Sequence, residues 1–420
     1  YDRIIEINDY RGATTSFTYD VMGRQASITD ALGNKTVIEY DGVGRVKKEI
    51  DALSQATQYE YHPSGQVSKM VEPNGSVWAW TYDSLGRMTE QKDPEGNNTK
   101  YAYDAVGRLI SETDPLGHKY EWQYTHLNQV EKIIDPLDHE YRYIYSKYGH
   151  LEKMIDPLGH ETSYKYDKLG RPYEITDPKG GKTTLKYDAI GRVIEMTDQL
   201  GYKEKYDYDA LGNLTRFEDA LGNEQNFTYD ALNRLLTETD FKGNQYTYNY
   251  DDKNGITTIT NPLGHKETIK YDALDQVKEV TDALGNKTTF NYDALGRLIS
   301  EQDALGNVEK LKYDSVHNIT AIIDANNHKT KFEYDKVGQL IKQIDPLGFV
   351  TEYNYDANYQ LTKLTDARGG VTRYDYDPLG NVVKEIDPEG GEWQYQYDAV
   401  SRLTNFIDPN GHTTKFVYDE

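Results

Sequence analysis

Apolar and polar residues alternate along this chain in short runs that recur every 21 residues. In the run 287–292, Thr288, Phe290 and Tyr292 fall on one face of an extended chain, and polar residues occupy the other face. This alternation predicts a half-buried β-strand. The following run, 298–302, begins with an apolar residue in eighteen of the twenty copies and predicts a second strand with weaker patterning.

The repeat is unbroken from one end of the chain to the other. Every 21st residue from Tyr19 to Tyr418 is Tyr, and seventeen of these twenty residues are followed by Asp. A second series, which starts at Asp9, is Asp at eighteen of twenty positions, with Glu72 and Asn261 as substitutes. The length of 420 residues equals twenty repeats of 21, so residues 1–420 are predicted to form one continuous array.

Turn residues separate the predicted strands. In the run 114–118, Asp-Pro-Leu-Gly-His, the Asp can accept a backbone hydrogen bond, the Pro presets φ and the Gly can adopt a positive φ. The other turn, 104–108, has Gly at its fourth position in twelve copies. Asparagine or aspartate, types that tolerate the left-handed region, replace this Gly at Asn128, Asn233, Asn254 and Asp275. Tyr359 and Ser401 fit this explanation less well.

About forty strands in one ribbon would span roughly 190 Å if laid flat at ~4.8 Å spacing. Open twisted sheets rarely exceed about ten strands without curling or closing. Because every repeat has the same length, each step applies the same rotation. We therefore predict an all-β fold, a β-hairpin ribbon coiled into a hollow shell, spiral or tube. Aromatic residues are expected on one side of its wall and charged residues on the other, and the sequence leaves open which side faces inward.

The repeat resembles the Rhs/YD-repeat family of bacteria, whose hallmark is Tyr-Asp followed by Gly-Arg and a later Asp-Pro-x-Gly. Tyr103-Asp104, Gly107-Arg108 and Asp114-Pro115 with Gly117 carry that pattern here. The resemblance implies β-hairpins coiled into large hollow shells. It also implies that the shell encloses a C-terminal toxin, as in Rhs proteins and related insecticidal toxin-complex subunits, or serves cell-surface adhesion, as in animal teneurins.

The chain departs from toxin-carrying members of that family. Residues 1–420 contain no counterpart of the nonrepetitive segment that closes the shell and precedes self-cleavage, or of the variable toxin domain. A long uniform tube is therefore an alternative to a closed cage. Neither end carries the polar cap that terminal strands need, so we expect a segment of a longer polypeptide or ends that stack on other copies.

Composition excludes several classes of function. The net charge of −23, from 70 acidic and 47 basic residues, argues against binding nucleic acid, because phosphate contacts need a cationic surface. No run approaches the roughly 20 apolar residues of a membrane-spanning helix. The absence of Cys excludes disulfides, thiolate zinc sites and Cys nucleophiles.

The Asp and His columns are the main candidates for metal binding. Calcium needs six to eight oxygens within about 2.6 Å, whereas equivalent residues of neighbouring repeats lie roughly 10 Å apart. One ion cannot bridge them, so turn capping is the preferred explanation for the Asp residues. The same step prevents neighbouring histidines from sharing zinc. We predict no metal site at the histidines that follow the turn Gly or its substitute: His118, His139, His160, His265, His328 and His412.

No unique catalytic cluster stands out. A catalytic triad needs one nucleophile, one base and one orienting group, whereas Ser, His and Asp recur here as interchangeable repeat positions. The glycine pairs at 180–181, 369–370 and 390–391 fall in turns without a following helix that could bind phosphate. We predict that the chain has no catalytic residues, binds no cofactor and is not an enzyme.

The leading hypothesis is a secreted or cell-surface bacterial structural protein, a β-wall that forms a shell around a toxin or other cargo, or a surface filament or spacer. Its predicted partners are other repeats, further copies of the chain and the enclosed cargo. The alternative is a cell-wall or glycan-binding module whose aromatic residues stack on sugars, with Trp78, Trp80, Trp122 and Trp393 as candidates. The invariant tyrosines are predicted to form an aromatic ladder inside the wall.

Overall fold

A computed structural model describes residues 2–419, which form forty β-strands and no helix. Residues 287–292 and 298–302 each form a strand, as their patterning predicts. The all-β fold with two strands per repeat is therefore confirmed. The outermost residues of the predicted array, Tyr1 and Glu420, lie outside the described residues. Within residues 2–419, no helix is long and apolar enough to cross a membrane.

All strands are short and most have five or six residues, with a six-residue strand ending at the series Tyr and a five-residue strand following it. In chain order the strands are β1 (Glu6–Asn8), β2 (Thr14–Tyr19), β3 (Gln25–Thr29), β4 (Lys35–Tyr40), β5 (Val46–Ile50), β6 (Ala56–Tyr61), β7 (Val67–Val71), β8 (Val77–Tyr82), β9 (Met88–Lys92), β10 (Asn98–Tyr103), β11 (Leu109–Thr113), β12 (Lys119–Tyr124), β13 (Val130–Ile134), β14 (Glu140–Tyr145), β15 (Leu151–Ile155), β16 (Glu161–Tyr166), β17 (Pro172–Thr176), β18 (Lys182–Tyr187), β19 (Val193–Thr197), β20 (Lys203–Tyr208), β21 (Leu214–Glu218), β22 (Glu224–Tyr229), β23 (Leu235–Thr239), β24 (Gln245–Asp251), β25 (Ile256–Thr260), β26 (Lys266–Tyr271), β27 (Val277–Thr281), β28 (Lys287–Tyr292), β29 (Leu298–Gln302), β30 (Val308–Tyr313), β31 (Ile319–Ile323), β32 (Lys329–Tyr334), β33 (Leu340–Ile344), β34 (Val350–Tyr355), β35 (Leu361–Thr365), β36 (Val371–Tyr376), β37 (Val382–Ile386), β38 (Glu392–Tyr397), β39 (Leu403–Ile407) and β40 (Thr413–Lys415).

The described residues divide into two compact units, each made of stretches that are distant in sequence. Unit 1 comprises residues 2–98, 247–353 and 366–368, and unit 2 comprises residues 99–246, 354–365 and 369–419. Inside each unit, strands pair antiparallel with their neighbours in the chain. In unit 1, for example, β28 pairs with β29 from Thr289 opposite Gln302 to Tyr292 opposite Leu298, with a bulge before Tyr292.

Two kinds of turn alternate along both units. A D turn begins at a residue of the Asp9 series, and a YD turn begins at the residue after the series Tyr. In the YD turn 104–108, the Gly107 amide donates to the Asp104 carbonyl at 3.1 Å, and the Asp104 amide donates to the Arg108 carbonyl at 3.0 Å. Gly107 adopts φ 96°, the left-handed residue typical of such hairpin loops.

The residues that replace this Gly test the prediction of a left-handed position. Asn128, Asn233 and Asp275 adopt φ of 61–63°, as expected, and Tyr359 and Ser401 adopt φ of 67° and 62° despite their less favourable side chains. The prediction for Asn254 is wrong. Gly255 takes the positive φ of 62° there, because β24 extends to Asp251 and pairs with β25 without a bulge. A neighbouring Gly is thus preferred to a tolerant Asn.

Neither unit contains a conventional hydrophobic core. Among residues 2–419, Ala321 is the only hydrophobic residue classed as buried. The predicted alternation is nevertheless visible: in β28, Lys287 and Asn291 are exposed, whereas Thr288, Phe290 and Tyr292 are half-buried. Strand pairing and one half-covered face therefore supply the packing, and specific side-chain bonds between repeats assume unusual importance.

Unit 1 brings D turns from its first stretch against YD turns from its second. The guanidinium of Arg11 pairs with Asp275 at 2.8 Å. The hydroxyl of Ser76 donates to the Lys336 carbonyl at 2.8 Å, and the Lys336 amide donates to the Glu95 carboxylate at 3.1 Å. These partners are separated by 241 to 264 residues, which corresponds to roughly twelve repeats of 21.

Unit 2 contains the same kind of contact. The side-chain Nδ2 of Asn358, in a YD turn, donates to the Asp114 carboxylate of a D turn. Lys179 of another D turn pairs with Asp419. Asp135, which begins the next D turn after Asp114, is only 4% exposed. In both units, therefore, D turns of an earlier stretch pack against YD turns of a later stretch.

Candidate functional site: the junction between repeats

The Asp of each YD turn organises its own loop. In the turn 293–297, Asp293 Oδ1 accepts hydrogen bonds from the Leu295 amide at 2.9 Å and the Arg297 amide at 3.1 Å. Asp293 Oδ2 accepts from Arg297 Nε at 2.7 Å and also pairs with Nη2 at 2.7 Å. The predicted turn-capping role of Asp is confirmed, and the carboxylate additionally fixes the orientation of the Arg that ends the turn.

That Arg reaches the next repeat. The Arg297 guanidinium lies 4.5 Å from the centroid of the Tyr313 ring, and its Nη1 donates to the Asp314 carbonyl at 3.1 Å. At least eight junctions place Arg over the following series Tyr, at centroid distances of 4.5–5.4 Å. The Gly-Arg motif therefore holds a cation against an aromatic face between neighbouring YD turns.

The hydroxyl of the series Tyr completes the junction. Tyr313 Oη donates to the Leu298 carbonyl at 2.7 Å, where the backbone pairing of β29 with β30 has already ended at Ser300 and Lys310. At least fifteen series tyrosines make this bond to the residue fifteen positions earlier, at 2.5–2.9 Å. The hydroxyl thus fastens the open end of the hairpin.

The sequence did not predict this junction. The junction also corrects the prediction that the series tyrosines form an aromatic ladder. The ring of the series Tyr contacts an Arg in at least eight junctions. Elsewhere its partner is a His, with His150 4.8 Å from Tyr166 and His62 5.8 Å from Tyr82 between ring centroids. One signal was available: all twenty residues of the series are Tyr, and an aromatic ladder alone would also accept Phe. Strict retention of the phenol indicates that its hydroxyl is used.

The junction lowers the pKa of the turn carboxyls. Hydrogen bonding from the Arg45 amide, supported by the Arg45 side chain, lowers the pKa of Asp41 to about 2. Amide and guanidinium donors of the same kind lower the pKa of Asp104 and Asp188. These carboxyls are therefore charged at neutral pH and accept charge-assisted hydrogen bonds.

The D turns use His or Asn in the same way. His118 Nδ1 lies 2.8 Å from Asp114 Oδ2, and Asn34 Nδ2 lies 2.9 Å from Asp30 Oδ2. His139, His160, His328 and His412 repeat the His geometry, and His265 follows Asn261. Within residues 2–419, no group of three or more His, Asp or Glu is arranged to hold a metal ion. The alternation of His with Asn is explained by their shared ability to bond the turn carboxylate.

The four Trp residues are half-buried rather than displayed. In unit 1, Trp78 and Trp80 stack at 6.5 Å between ring centroids. In unit 2, Trp122 stacks on Tyr120 at 6.2 Å and Trp393 stacks on Phe406 at 5.4 Å. Each indole thus packs on another ring of its own unit.

An open concavity of about 890 Å³ lies beside one atypical junction of unit 2. Ser146 and His150 replace the usual Asp and Arg there, and the walls include Tyr148, Tyr164 and Tyr173. Its exposed rings could stack on a flat ligand. Ser146 is one of the three residues that replace Asp after a series Tyr.

One substitution tests the role of the junction Arg. We expect Arg297→Ala to destabilise β29 and β30 by about 1–2 kcal/mol, because the cation–π contact and two charge-assisted bonds are lost. Arg297→Gln should cost less, since Gln276 and Gln129, at the same repeat position, donate to the glycine carbonyl of the next YD turn at 3.1 and 2.7 Å. Hydrogen exchange of the two strands measures both effects, and equal losses for Ala and Gln would contradict the assignment.

Tyr-Asp, Gly-Arg and the D turn together define a β-hairpin repeat protein in which each repeat is bonded through side chains to the next. The chain belongs to the teneurin YD-shell family, whose model matches residues 2–168, 163–282 and 258–420. No curated protein matches the sequence.

Solved structures share the fold at low sequence identity. A crystal structure of TcdB2-TccC3-Cdc42 is 14% identical with a TM-score of 0.70, covering 94% of this chain and 28% of that one. A TcdB2-TccC3 crystal structure is 14% identical with a TM-score of 0.60, covering 98% and 32%. A Photorhabdus luminescens Tc holotoxin pore with a mutated TccC3 is 14% identical with a TM-score of 0.59, covering 96% and 30%. The chain thus spans about a third or less of the length of these proteins.

Proposed function

We propose that the chain forms the curved wall of a secreted bacterial β-shell that encloses or carries another polypeptide, and that it has no catalytic activity of its own. Membership of the YD-shell family supports the structural role. The observation that carries the proposal is the repeat junction. Its Asp, Arg and Tyr side chains, which are of the types best able to take part in catalysis, are engaged in structural bonds within and between repeats.

The junction also supports curvature. At the YD side of the hairpin that contains Arg297, the stacked Arg297 and Tyr313 occupy the space between neighbouring turns. At the D side, the corresponding strand position carries Thr288, and this position is Thr in eleven of the twenty repeats. Where a bulky pair on one side meets a small residue on the other, the difference in size favours a bend, which a wall needs in order to surround a lumen.

The proposed cargo and location are based on the proteins that share this fold. One of the similar structures is a holotoxin pore by name, and the family resemblance implies that the YD shells of toxin-carrying members enclose a toxin. A polypeptide cargo and secretion are accordingly proposed for this chain. The net charge of −23 suits a soluble wall and a cargo that is not nucleic acid.

Small-angle X-ray scattering tests the wall directly. A solid globule of 420 residues would have a radius of gyration of about 22 Å. The proposal predicts a clearly larger value for the 48.2 kDa monomer, with a distance distribution skewed towards long vectors as expected for a thin wall around solvent. A radius of gyration near that of the solid globule would contradict it.

Binding measurements address the rival function. If the chain were a glycan-binding module, it would bind purified cell wall, and replacing the four Trp residues would abolish that binding. The proposed structural role predicts no such dependence, because these rings pack within the units.

A further inference from the structure

Each unit contains two sets of turns that differ sharply in exposure. The third residue of a D turn is usually Leu, and in the D turns packed against YD turns it is partly covered. Leu32 and Leu53 of unit 1 and Leu116, Leu137 and Leu158 of unit 2 are 38–51% exposed. In the later D turns the same position is open. Its exposure is 78–88% at Leu200, Leu221, Leu263, Leu284, Leu305 and Leu347.

The YD turns show the reverse order. Those of the second stretch of each unit pack against D turns, and their apolar third residues are half-buried: Leu274, Leu295, Val316, Val337, Leu379 and Val400. Those of the first stretch are open. The third residues of these early turns include Met22 at 74%, Val43 at 78%, Leu85 at 72% and Leu169 at 74% exposure, and Val21, the second residue of its turn, is 102% exposed.

The same pair of surfaces therefore occurs twice in each unit, once joined and once separated. In unit 1 we name these open turns the free D turns, which begin at residues 261, 282, 303 and 345, and the free YD turns, which begin at residues 20, 41 and 83. A row of exposed apolar tips, interrupted by polar residues such as Asn326 and Ser64, is a surface of the kind that marks interaction sites. The packed turns of the same units show which surface covers such a row, because there YD turns cover D turns.

We propose that the free D turns of one molecule bind the free YD turns of a second copy of this chain, through the contacts that join D turns to YD turns within each unit. The interface is head-to-tail, because the two surfaces are different. A head-to-tail contact leaves one free surface at each end of every assembly, so copies can be added without limit. This inference rests on the proposed function only in treating the chain as a wall, which the second copy would extend.

Polar partners give the interface its register. Inside unit 1, Arg11 of a D turn pairs with Asp275 of a YD turn, and Ser76 donates to the backbone of the YD turn that contains Lys336. Apolar tips supply the contact area, and these bonds fix which turns oppose each other. Each copy carries a net charge of −23, so repulsion between copies opposes association and added salt should strengthen it.

Two variants block one surface each. Leu284→Glu with Leu305→Glu alters free D turns, and Val21→Glu with Val43→Glu alters free YD turns. All four side chains are at least 78% exposed, so the fold should be retained. Ile110→Glu with Ile144→Glu is the matched control, since these residues lie on strand faces away from the turns, are 38% and 44% exposed, and change the charge equally.

Sedimentation velocity over a rising protein concentration reads out the assembly. Wild type and control should form species in steps of 48.2 kDa, and each turn variant alone should associate at least tenfold more weakly. Mixing the two variants should restore a dimer and nothing larger, because one intact D surface can meet one intact YD surface. Circular dichroism should give the same thermal midpoint for all forms.

Three results would overturn the proposal: a wild type that remains at 48.2 kDa at every concentration, turn variants that associate like the control, or mixed variants that stay monomeric. These failures are separable from failure of the proposed function. A wild type that is monomeric yet scatters as a thin wall would refute only the head-to-tail contact, whereas a monomer with the radius of gyration of a solid globule would refute the wall itself.

Discussion

Tyr313→Ala should destabilise its region of the array by about 2–4 kcal/mol. The substitution removes a half-buried ring, its contact with Arg297 at 4.5 Å and its hydrogen bond to the Leu298 carbonyl at 2.7 Å. Because each repeat contacts mainly its neighbours, the loss should be local. Hydrogen exchange should therefore show faster opening of β29, β30 and β31, while distant strands such as β16 keep their protection.

Tyr313→Phe separates the hydroxyl from the ring. It keeps the surface that Arg297 covers and removes only the bond to Leu298, so the expected cost is about 1 kcal/mol. If Phe matched wild type and Ala cost less than 1 kcal/mol, the series Tyr would have no structural role in the junction. A cost of Phe equal to that of Ala would instead assign the whole effect to the hydroxyl.

Acid should unfold the array cooperatively. The junctions lower the pKa of many turn carboxyls, with Asp41 at about 2 in the folded chain against an ordinary value near 3.8. A carboxyl that binds protons less readily when folded stabilises the fold above its unfolded pKa. That stability is lost as the pH falls through the folded pKa. We predict that urea midpoints measured by circular dichroism are similar at pH 7 and pH 5 and fall steeply from about pH 4 to pH 2.

Two controls identify the source of the acid effect. At low pH the chain also becomes highly positive, and repulsion of that kind is screened by salt, whereas loss of short hydrogen-bonded pairs is much less so. Asp41→Asn keeps an amide oxygen for the turn, as Asn261 does in its own turn, accepting from the Leu263 and His265 amides at 3.0 Å. This variant should lose stability at pH 7 and respond less to acid. An acid-stable wild type would contradict the role of charged caps.

Local features of the fold were predictable because they depend on residues close in sequence. The alternation at 287–292 and the chemistry of 104–108 each act within one hairpin, and both strand bounds and turn caps agree with the structure. Asn254 fails for an equally local reason, since the adjacent Gly255 offers a less strained left-handed residue.

The junction and the packing of turns were not predictable from patterning. The junction requires knowing that Tyr313 returns to Leu298 and Arg297, which depends on where backbone pairing stops within a hairpin. The contact between Arg11 and Asp275 depends on a rotation accumulated over some twelve repeats, and a small error in each step would move it by a whole turn. Periodicity fixes equal steps but does not give their size.

Cryo-electron microscopy of the wild-type chain, at a resolution that separates strands, tests the central claim most directly. We expect two antiparallel strands in every 21 residues. We also expect density joining Tyr313 to the Leu298 carbonyl and Arg297 to the Tyr313 ring, repeated along the wall at each Gly-Arg junction. Repeats folded as separate compact beads, or a continuous sheet in which the series tyrosines point away from the carbonyls fifteen residues earlier, would contradict the claim.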